Sequence, residues 1–442
     1  MLRRSLIAMA VIVGLAMTAA AQSDLPWKTS WVASVQRPYR DASGQPEQRF
    51  AFPGLRTGAR DQSFRLIVKP TLWGPQARIR LNNSYGARPL TIDGAYIGLQ
   101  LGSAALVPGT NRKLRFAGQD SVVIKPGQSV WSDAVDLPFA TEPAAPLLQG
   151  RKLAISFHVA GESTRMTWHA EALQTSYVGE PGGGAKGAEE GEAGFPYATA
   201  SWFFLDALDM RAPADTPVIV GFGDSITGGT ASTMNGDDRW PDVLVRRLTQ
   251  ALGANKAAVL NAGVGNDQVA GPDEDGAAAL FPGPGNSALV RLEHDVLSLS
   301  GVTSVIWLQG INDFSGYGKA SLEMVTLGMR RGVARLKAKG IRVVGATVVS
   351  ALGSTSTGPG FAEQEEKRKG LNAFIRTSGL FDAVVDFDAV TLDPSTGELK
   401  PDFVPESTRG GLGDKLHPNR TGYLAMGREI DLTAVLKPAH QP

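Results

Sequence analysis

The spacing of apolar residues along the chain changes character once, between about residues 212 and 216. Before this point, short runs such as ARIRLN from Ala77 alternate apolar and polar side chains, which is typical of strands with one buried face. After it, short apolar runs alternate with stretches whose apolar residues recur at helical spacing. A chain of 442 residues is also too long for one ordinary core. The sequence therefore predicts an all-β domain followed by an α/β domain.

The N-terminal domain is predicted to be an antiparallel β-sandwich over residues 22–212. Its strand-like runs include FRLIVK, LTIDGAYIGLQL and KLAISFHVAG, and Pro-Gly turns at Pro108 and Pro126 separate such runs. The segment 179–194, GEPGGGAKGAEEGEAG, has almost no apolar side chain, so we expect a mobile loop within this domain. The segment RAPADTP from Arg211 is the expected linker to the next domain.

The C-terminal domain, residues 213–442, alternates predicted strands and helices. The expected strands include VIVGF, AAVLNAG, VTSVIWLQG and IRVVGATVV, and the expected helices include RWPDVLVRRLTQAL and the segment from Leu322 to Leu336. This alternation indicates a parallel sheet that is covered by helices on both faces. Because ligands of such sheets bind beyond the carboxyl ends of the strands, we expect the functional site on the loops that follow them.

The first 21 residues have the features of a secretory signal peptide. Arg3 and Arg4 form a positive n-region, the run from Leu6 to Met17 is continuously apolar, and three small residues end at Ala21. An apolar run of about twelve residues is too short for a transmembrane helix, which makes a membrane anchor the weaker alternative. We therefore expect an exported protein whose mature chain begins near Gln22.

The composition excludes several classes of function. The 44 basic and 43 acidic residues leave a formal net charge of +1 and form no basic stripe, which argues against nucleic acid or an anionic membrane as a partner. The absence of cysteine excludes a disulfide scaffold, a thiol nucleophile and thiolate metal sites. The five histidines include no HExxH spacing, which argues against a zinc hydrolase built on several histidines. Hydroxyl, carboxylate and imidazole groups remain for any chemistry.

Four segments carry residues that are suited to acyl transfer. GFGDSITGG places Ser225 among glycines directly after the first strand of the α/β domain, where a plain Gly-rich turn is the alternative. NAGVGND follows the second strand, and GIND places Asn312 after the third; asparagine can donate to an oxyanion there or cap a turn. DKLHPNR places Asp414 three residues before His417, where it can orient the imidazole or form a surface ion pair. His294 has acidic neighbours and no glycine-rich loop, so it is expected at the surface.

In this order the four segments resemble the sequence blocks of the SGNH/GDSL hydrolase superfamily. The resemblance covers the chain from Thr216 onward and implies a flavodoxin-like three-layer α/β/α fold. It also implies that Ser225 is the nucleophile, with His417 as its base and Asp414 as the acid. The Ser225 N–H and the Asn312 amide would then donate to the oxyanion.

The second block departs from the usual family pattern. Relatives have N-x-G-x-x-G there, and the N–H of the last glycine is an oxyanion donor, whereas Asn266 stands at that position in this chain. Asparagine tolerates left-handed backbone angles better than most residues, so Asn266 is one candidate donor. Gly265, one residue earlier, is the other candidate.

Weaker similarities, such as SWFFLDALD and RWPDVLVRRL, resemble two-domain bacterial members that are grouped with xylan-esterase-like proteins. Together with the signal peptide, they imply an exported esterase. The loops after the strands are rich in Gly, Asn, Asp, Ser and Thr and offer little apolar area for a long acyl chain, so short-chain esters are expected. An acetylated polysaccharide or oligosaccharide is the expected substrate, and no cofactor is implied. A lipase or arylesterase for longer acyl esters is one alternative, and a non-catalytic carbohydrate-binding protein is another. The oligomeric state has no signal in the sequence.

Overall fold

The computed structural model describes residues 25–36, 58–271, 287–354 and 359–437. The expected signal peptide, residues 1–21, lies outside these ranges. Within them, no helix is both long and apolar enough to cross a membrane.

The N-terminal part of the described chain is built from short and medium strands that are joined by turns. In chain order they are β1 (Trp27–Val32), β2 (Arg60–Val68), β3 (Gln76–Asn82), β4 (Leu90–Gly102), β5 (Ala105–Leu106), β6 (Arg112–Lys113), β7 (Ser121–Ile124), β8 (Ser129–Trp131), β9 (Val135–Asp136), β10 (Leu153–Glu162), β11 (Trp168–His169), β12 (Ser176–Val178), β13 (Tyr197–Thr199), β14 (Trp202–Phe203) and β15 (Leu205–Arg211).

These strands form two antiparallel sheets with a shared apolar core. The first sheet has the order β1-β15-β3-β8, with β9 also beside β3; the second has the order β13-β12-β2-β10-β4-β5, with β6 and β7 also beside β4. Ile79 and Leu208 of the first sheet lie in the same buried cluster as Phe64 and Phe157 of the second. Alternate residues of each sheet thus face one core, as in a sandwich. The predicted all-β sandwich is confirmed.

The Gly-rich segment 179–194, which its composition predicts to be a mobile loop, makes specific contacts with the β-sandwich. It has no strand or helix, but its backbone wraps around the guanidinium of Arg65, which is fully buried in β2. This guanidinium donates to the carbonyl oxygens of Glu189 and Gly191 and lies 4.1 Å from the ring centre of Phe195. Glycines let the backbone turn so that its carbonyl oxygens can approach a buried cation, and these hydrogen bonds tie the segment to the β-sandwich.

After the connection 212–217 the chain alternates strands and helices. The strands are β16 (Val218–Gly223), β17 (Ala258–Gly263), β18 (Val302–Leu308), β19 (Arg342–Ala346) and β20 (Ala383–Val385). The helices are α1 (Ser225–Gly228), α2 (Trp240–Leu252), α3 (Ala288–Leu292), α4 (Leu322–Ala338), α5 (Ala362–Thr377), α6 (Phe387–Thr391), α7 (Arg420–Glu429) and α8 (Leu432–Leu436), and one π-helical turn, Glu293–Leu297, continues α3.

The five strands form a parallel sheet with the order β17-β16-β18-β19-β20. The chain therefore starts in the middle of the sheet, adds β17 on one side and then β18 on the other. This is the flavodoxin-like order, and it opens a crevice beyond the carboxyl ends of β16 and β18. All six residues of β16 are buried, as expected for a central strand that is covered on both faces. The predicted three-layer domain is confirmed.

The two domains share a buried boundary. Val32, Leu72 and Ala207 of the β-sandwich lie in the same apolar cluster as β16 and β17. The Thr29 N–H donates to the Ser300 carbonyl oxygen at 2.9 Å, which ties β1 to the loop before β18. Since apolar and polar contacts both cross the boundary, the sandwich is part of the same folded body as the α/β domain.

His294 belongs to this boundary and not, as predicted, to the surface. Its Nε2 lies 2.7 Å from Oδ2 of Asp206 in β15, and its Nδ1 lies 2.7 Å from Oδ1 of Asp295. Asp206 is fully buried and also accepts from Arg80 at 2.7 Å. Burial alone would lower the pKa of His294, but the two carboxylates outweigh burial and raise it to about 9. The acidic partner in β15 lies in another domain, so the local sequence around His294 could not indicate it.

Candidate active site

Ser225 is the first residue of α1, and only Asp224 separates it from the end of β16. The preceding Asp224 caps the helix, since its carboxylate accepts from the Ile226 N–H at 2.9 Å. A Cβ on Gly263 of β17 would overlap the Gly228 nitrogen, so the glycine of NAG lets α1 approach the sheet closely. This packing holds the Ser225 side chain, which is half-buried, at the carboxyl end of the sheet.

His417 and Asp414 meet Ser225 from the loop before α7. The Ser225 Oγ lies 2.8 Å from His417 Nε2, and His417 Nδ1 lies 2.6 Å from Asp414 Oδ2. The other Asp414 oxygen accepts from the Leu416 and His417 N–H groups, each at 2.9 Å. The three-residue spacing thus forms a side-chain-capped turn, with Lys415 at a φ of 59°, and not a turn of helix.

The electrostatics of this pair stabilise the imidazolium that forms when His417 accepts a proton. Burial alone would raise the pKa of Asp414, but the hydrogen bond and charge of His417 lower it to about 2. Burial alone would lower the pKa of His417, but the hydrogen bond and charge of Asp414 raise it above its ordinary value. Asp414 therefore stays ionised near neutral pH, which fixes a proton on Nδ1 and leaves Nε2 of neutral His417 to accept from Ser225.

The second block lies beside α1. The Asn261 side chain donates to the Thr227 carbonyl oxygen at 2.8 Å and accepts from the Gly263 N–H at 3.0 Å, so it ties β17 to the nucleophile turn. Asn266 has a φ of 60°, in the left-handed region that glycine adopts freely and that asparagine tolerates. Its side chain is exposed. Gly265 lines the cleft into which Ser225 opens. Of the two candidate donors, Gly265 is the one that lines this cleft.

Asn312 of the third block is buried and held at both ends of its amide. Its Nδ2 donates to the Asp267 carbonyl oxygen at 3.1 Å, and its Oδ1 accepts from the Tyr317 hydroxyl at 2.8 Å. Asp313, the next residue, accepts from the Val269 and Ala270 N–H groups at 2.9 and 2.7 Å. Burial raises the pKa of Asp313 to about 7. The third block thus holds the loop of the second block in place.

Arg291 is a central residue of the site that sequence reasoning missed. Its guanidinium is buried and donates to the backbone oxygens of Gly223 and Ala262, at 2.6 and 2.9 Å. It also pairs with Asp267 at 2.5 Å and with Asp295 at 2.8 Å. One cation thereby joins the ends of β16 and β17 to the loop after β17. It lies in the helix after a segment outside the described ranges, and no motif in its neighbourhood signals this role.

The cleft beside Ser225 has walls from both domains. Gln36, His169 and Glu171 of the β-sandwich line it together with Gly265 and Thr230 of the α/β domain. The cleft has a volume of about 250 Å³, part of it open to solvent, and five of its nine lining residues have polar side chains. Among the described residues, no cluster of histidine and carboxylate groups is placed to hold a metal ion.

Comparison with known proteins agrees with this geometry. Residues 222–425 match the GDSL-like lipase/acylhydrolase family, whereas a search of curated proteins gives no match. Among solved structures, a carbohydrate acetylesterase from Sinorhizobium meliloti is 16% identical over 48% of this chain and 94% of its own, with a TM-score of 0.36. An acetyl xylan esterase is 19% identical over 48% of this chain and 96% of its own, with a TM-score of 0.34. Residues 222–425, a little under half of the chain, thus match a GDSL-like lipase/acylhydrolase domain, which supports a carboxylic ester hydrolase.

Proposed function

We propose that the protein is an exported serine esterase that hydrolyses short-chain esters through a covalent acyl-enzyme. One observation carries the proposal: a line of two hydrogen bonds, 2.8 and 2.6 Å long, joins the Ser225 hydroxyl to the His417 imidazole and this to the Asp414 carboxylate. A hydroxyl that is hydrogen-bonded to an oriented, neutral imidazole is an activated nucleophile.

The first half of the reaction transfers the acyl group to the enzyme. His417 Nε2 takes the Ser225 proton while Oγ bonds to the ester carbonyl carbon, whose π electrons move onto the carbonyl oxygen. Asp414 stabilises the imidazolium that results. When the carbonyl re-forms, the bond to the alcohol oxygen breaks and His417 gives its proton to that oxygen. Water then attacks the acyl-enzyme in the same way, which releases the acid and restores Ser225.

The oxyanion needs hydrogen-bond donors that are in place before the reaction. The Ser225 N–H at the start of α1, the Asn312 amide and a backbone N–H of the second block are the proposed donors. The Tyr317 hydroxyl and the Asp267 carbonyl oxygen fix the orientation of the Asn312 amide, which has a second N–H that can donate to the substrate. We assign the backbone donor to Gly265, because it lines the same cleft as Ser225.

The proposed substrate is a short acyl ester of a carbohydrate, an acetyl ester above all. The cleft beside Ser225 is small, and Val264 is its only purely aliphatic side chain among the described lining residues. Each buried methylene of a longer acyl chain would contribute about 0.8 kcal/mol only if apolar surface were there to receive it. Gln36, Glu171 and Thr230 instead offer partners for hydroxyl groups.

Replacement of Ser225 by alanine tests the mechanism. We expect Ser225→Ala to fold normally and to lose p-nitrophenyl acetate hydrolysis by about a thousandfold or more, as removal of a triad nucleophile does. Ser395→Ala, at an exposed turn, is the matched control and should keep wild-type turnover. A fluorophosphonate label should attach to the wild type and to Ser395→Ala, and should not attach to Ser225→Ala. Near-wild-type turnover of Ser225→Ala would refute the assignment.

Export rests on the sequence pattern of residues 1–21 alone. Expression of the full chain in a bacterial host should yield a secreted or periplasmic product whose N-terminus is near Gln22, as mass spectrometry of the intact protein would measure. A product that keeps Arg3 and Arg4 and stays in the cytoplasm would contradict this part of the proposal.

A further inference from the structure

The β-sandwich contributes side chains to the cleft that holds the nucleophile. Gln36 follows β1, while His169 ends β11 and Glu171 lies just beyond it. The segment after β11 is fastened to the α/β domain, because the Arg239 guanidinium donates to the Ala172 carbonyl oxygen at 2.6 Å. The wall that the sandwich adds is therefore fixed relative to Ser225.

Gln36 has a buried side-chain amide that lacks a partner. Only 2% of the residue is exposed, and its main chain is held by a bridge to Trp168, with the Gln36 N–H donating at 2.7 Å. Its Nε2 has no hydrogen-bond partner in the described structure. Burial of an amide N–H without a partner is unfavourable, and an acceptor that arrives with a ligand in the cleft would supply the missing hydrogen bond.

Glu171 places an acceptor on the same wall. Its Oε2 accepts from the Thr230 hydroxyl at 2.6 Å, which orients the carboxylate at the cleft. His169 between them is buried and neutral, because burial lowers its pKa, and its Nδ1 donates to the Ser34 carbonyl oxygen at 2.8 Å. A donor amide and an acceptor carboxylate on one wall complement hydroxyl groups, which both donate and accept.

We propose that Gln36 and Glu171 form a subsite for the alcohol part of the ester, and that this alcohol carries free hydroxyl groups. The Gln36 amide donates to one substrate oxygen, and the Glu171 carboxylate accepts from a neighbouring hydroxyl. The inference rests on the proposed esterase function and adds to it that the β-sandwich selects the alcohol. An aryl or alkyl alcohol without hydroxyl groups would leave the Gln36 amide without an acceptor and would make no hydrogen bond to the Glu171 carboxylate.

Two substrates with the same acyl group separate this role from catalysis. We compare kcat/KM for a mono-O-acetylated methyl glycoside with that for p-nitrophenyl acetate. In Gln36→Met the preference for the glycoside ester should fall about tenfold, mainly through KM, as expected for one lost hydrogen bond. Gln36→Glu keeps the size but replaces the donor by an acceptor, and it should lose the preference as well. Gln76→Met, in β3 and away from the cleft, is the matched control and should retain it.

Equal losses on both substrates in the Gln36 variants would overturn the inference, since Gln36 would then support the catalytic centre in general. An unchanged preference would overturn it as well. A binding assay keeps this test apart from the proposed function. In the Ser225→Ala background, Gln36→Met should weaken binding of the glycoside ester about tenfold by calorimetry. Equal dissociation constants would refute the subsite even if the wild type hydrolysed no ester.

Discussion

Replacing His294 by glutamine should remove a pH dependence from the stability of the whole protein. In the fold, His294 lies between the carboxylates of Asp206 and Asp295, which raise its pKa to about 9 from the ordinary value of 6.5. Below pH 6.5 the imidazole is charged in both the folded and the unfolded chain, and the full stabilisation is present. As the pH rises from 6.5 to 9, the unfolded chain loses the proton first, so the stabilisation declines and is then lost.

The size of the effect follows from the difference between the two pKa values. A shift from 6.5 to about 9, at about 1.4 kcal/mol for each pKa unit, corresponds to about 3 kcal/mol of the free energy of unfolding. The side chain of His294 is 27% exposed, so solvent screens the interaction only in part. Since whole domains are stable by about 5–15 kcal/mol, an effect of this size is readily measured.

Urea unfolding of the mature protein, followed by tryptophan fluorescence between about pH 6 and pH 9.5, provides the assay. The wild type should lose about 3 kcal/mol more than His294→Gln over this range, since other titrating groups affect both proteins alike. An NMR titration of the five histidines should assign the highest pKa to the ring that the variant lacks. Parallel stability profiles of the two proteins would refute the reasoning.

Three further predictions concern the site. Arg291→Met should destabilise the protein by about 3–5 kcal/mol, because it leaves the carboxylates of Asp267 and Asp295 buried without their cation. Arg335 forms an exposed ion pair with Glu293, so Arg335→Met serves as the control and should change the unfolding midpoint little. Equal effects of the two variants would contradict this account. Asn312→Ala should lower kcat about a hundredfold with little change in KM, because its donor acts mainly in the transition state; a change in KM alone would make it a substrate-binding residue. Across p-nitrophenyl esters, kcat/KM should peak at acetyl and fall by butyryl, whereas a rise through octanoyl would indicate a lipase-like enzyme and refute the carbohydrate ester proposal.

The local pattern of the sequence was sufficient for much of the α/β domain. Buried strands and amphipathic helices are local features, so β16, α2 and α4 could be placed by spacing alone. Ser225 could be placed after β16 for the same reason. That Ser225 meets His417 depends on the tertiary fold, and this contact was expected only from the resemblance to a family.

Other contacts join residues that no local pattern connects. The composition of segment 179–194 indicates that ordering this segment costs conformational entropy. It does not indicate that the carbonyl oxygens of the segment accept hydrogen bonds from the buried Arg65. Asp206, the partner of His294, and Gln36, beside the nucleophile, each come from the other domain. Spacing and composition indicate the structure that a segment prefers by itself, whereas these three roles depend on contacts with residues that are distant in the sequence.

The place of β15 in its sheet has a consequence for the order of folding. β15 is the last strand of the sandwich in the chain, yet it lies between β1 and β3 and pairs with both. During synthesis, β1 and β3 leave the ribosome long before the strand that joins them exists. They must remain unpaired on that side until residue 211 has been made, and the loop that is then closed is long. Contacts between residues so far apart in the sequence form slowly, so the β-sandwich is completed late even though it is translated before the α/β domain.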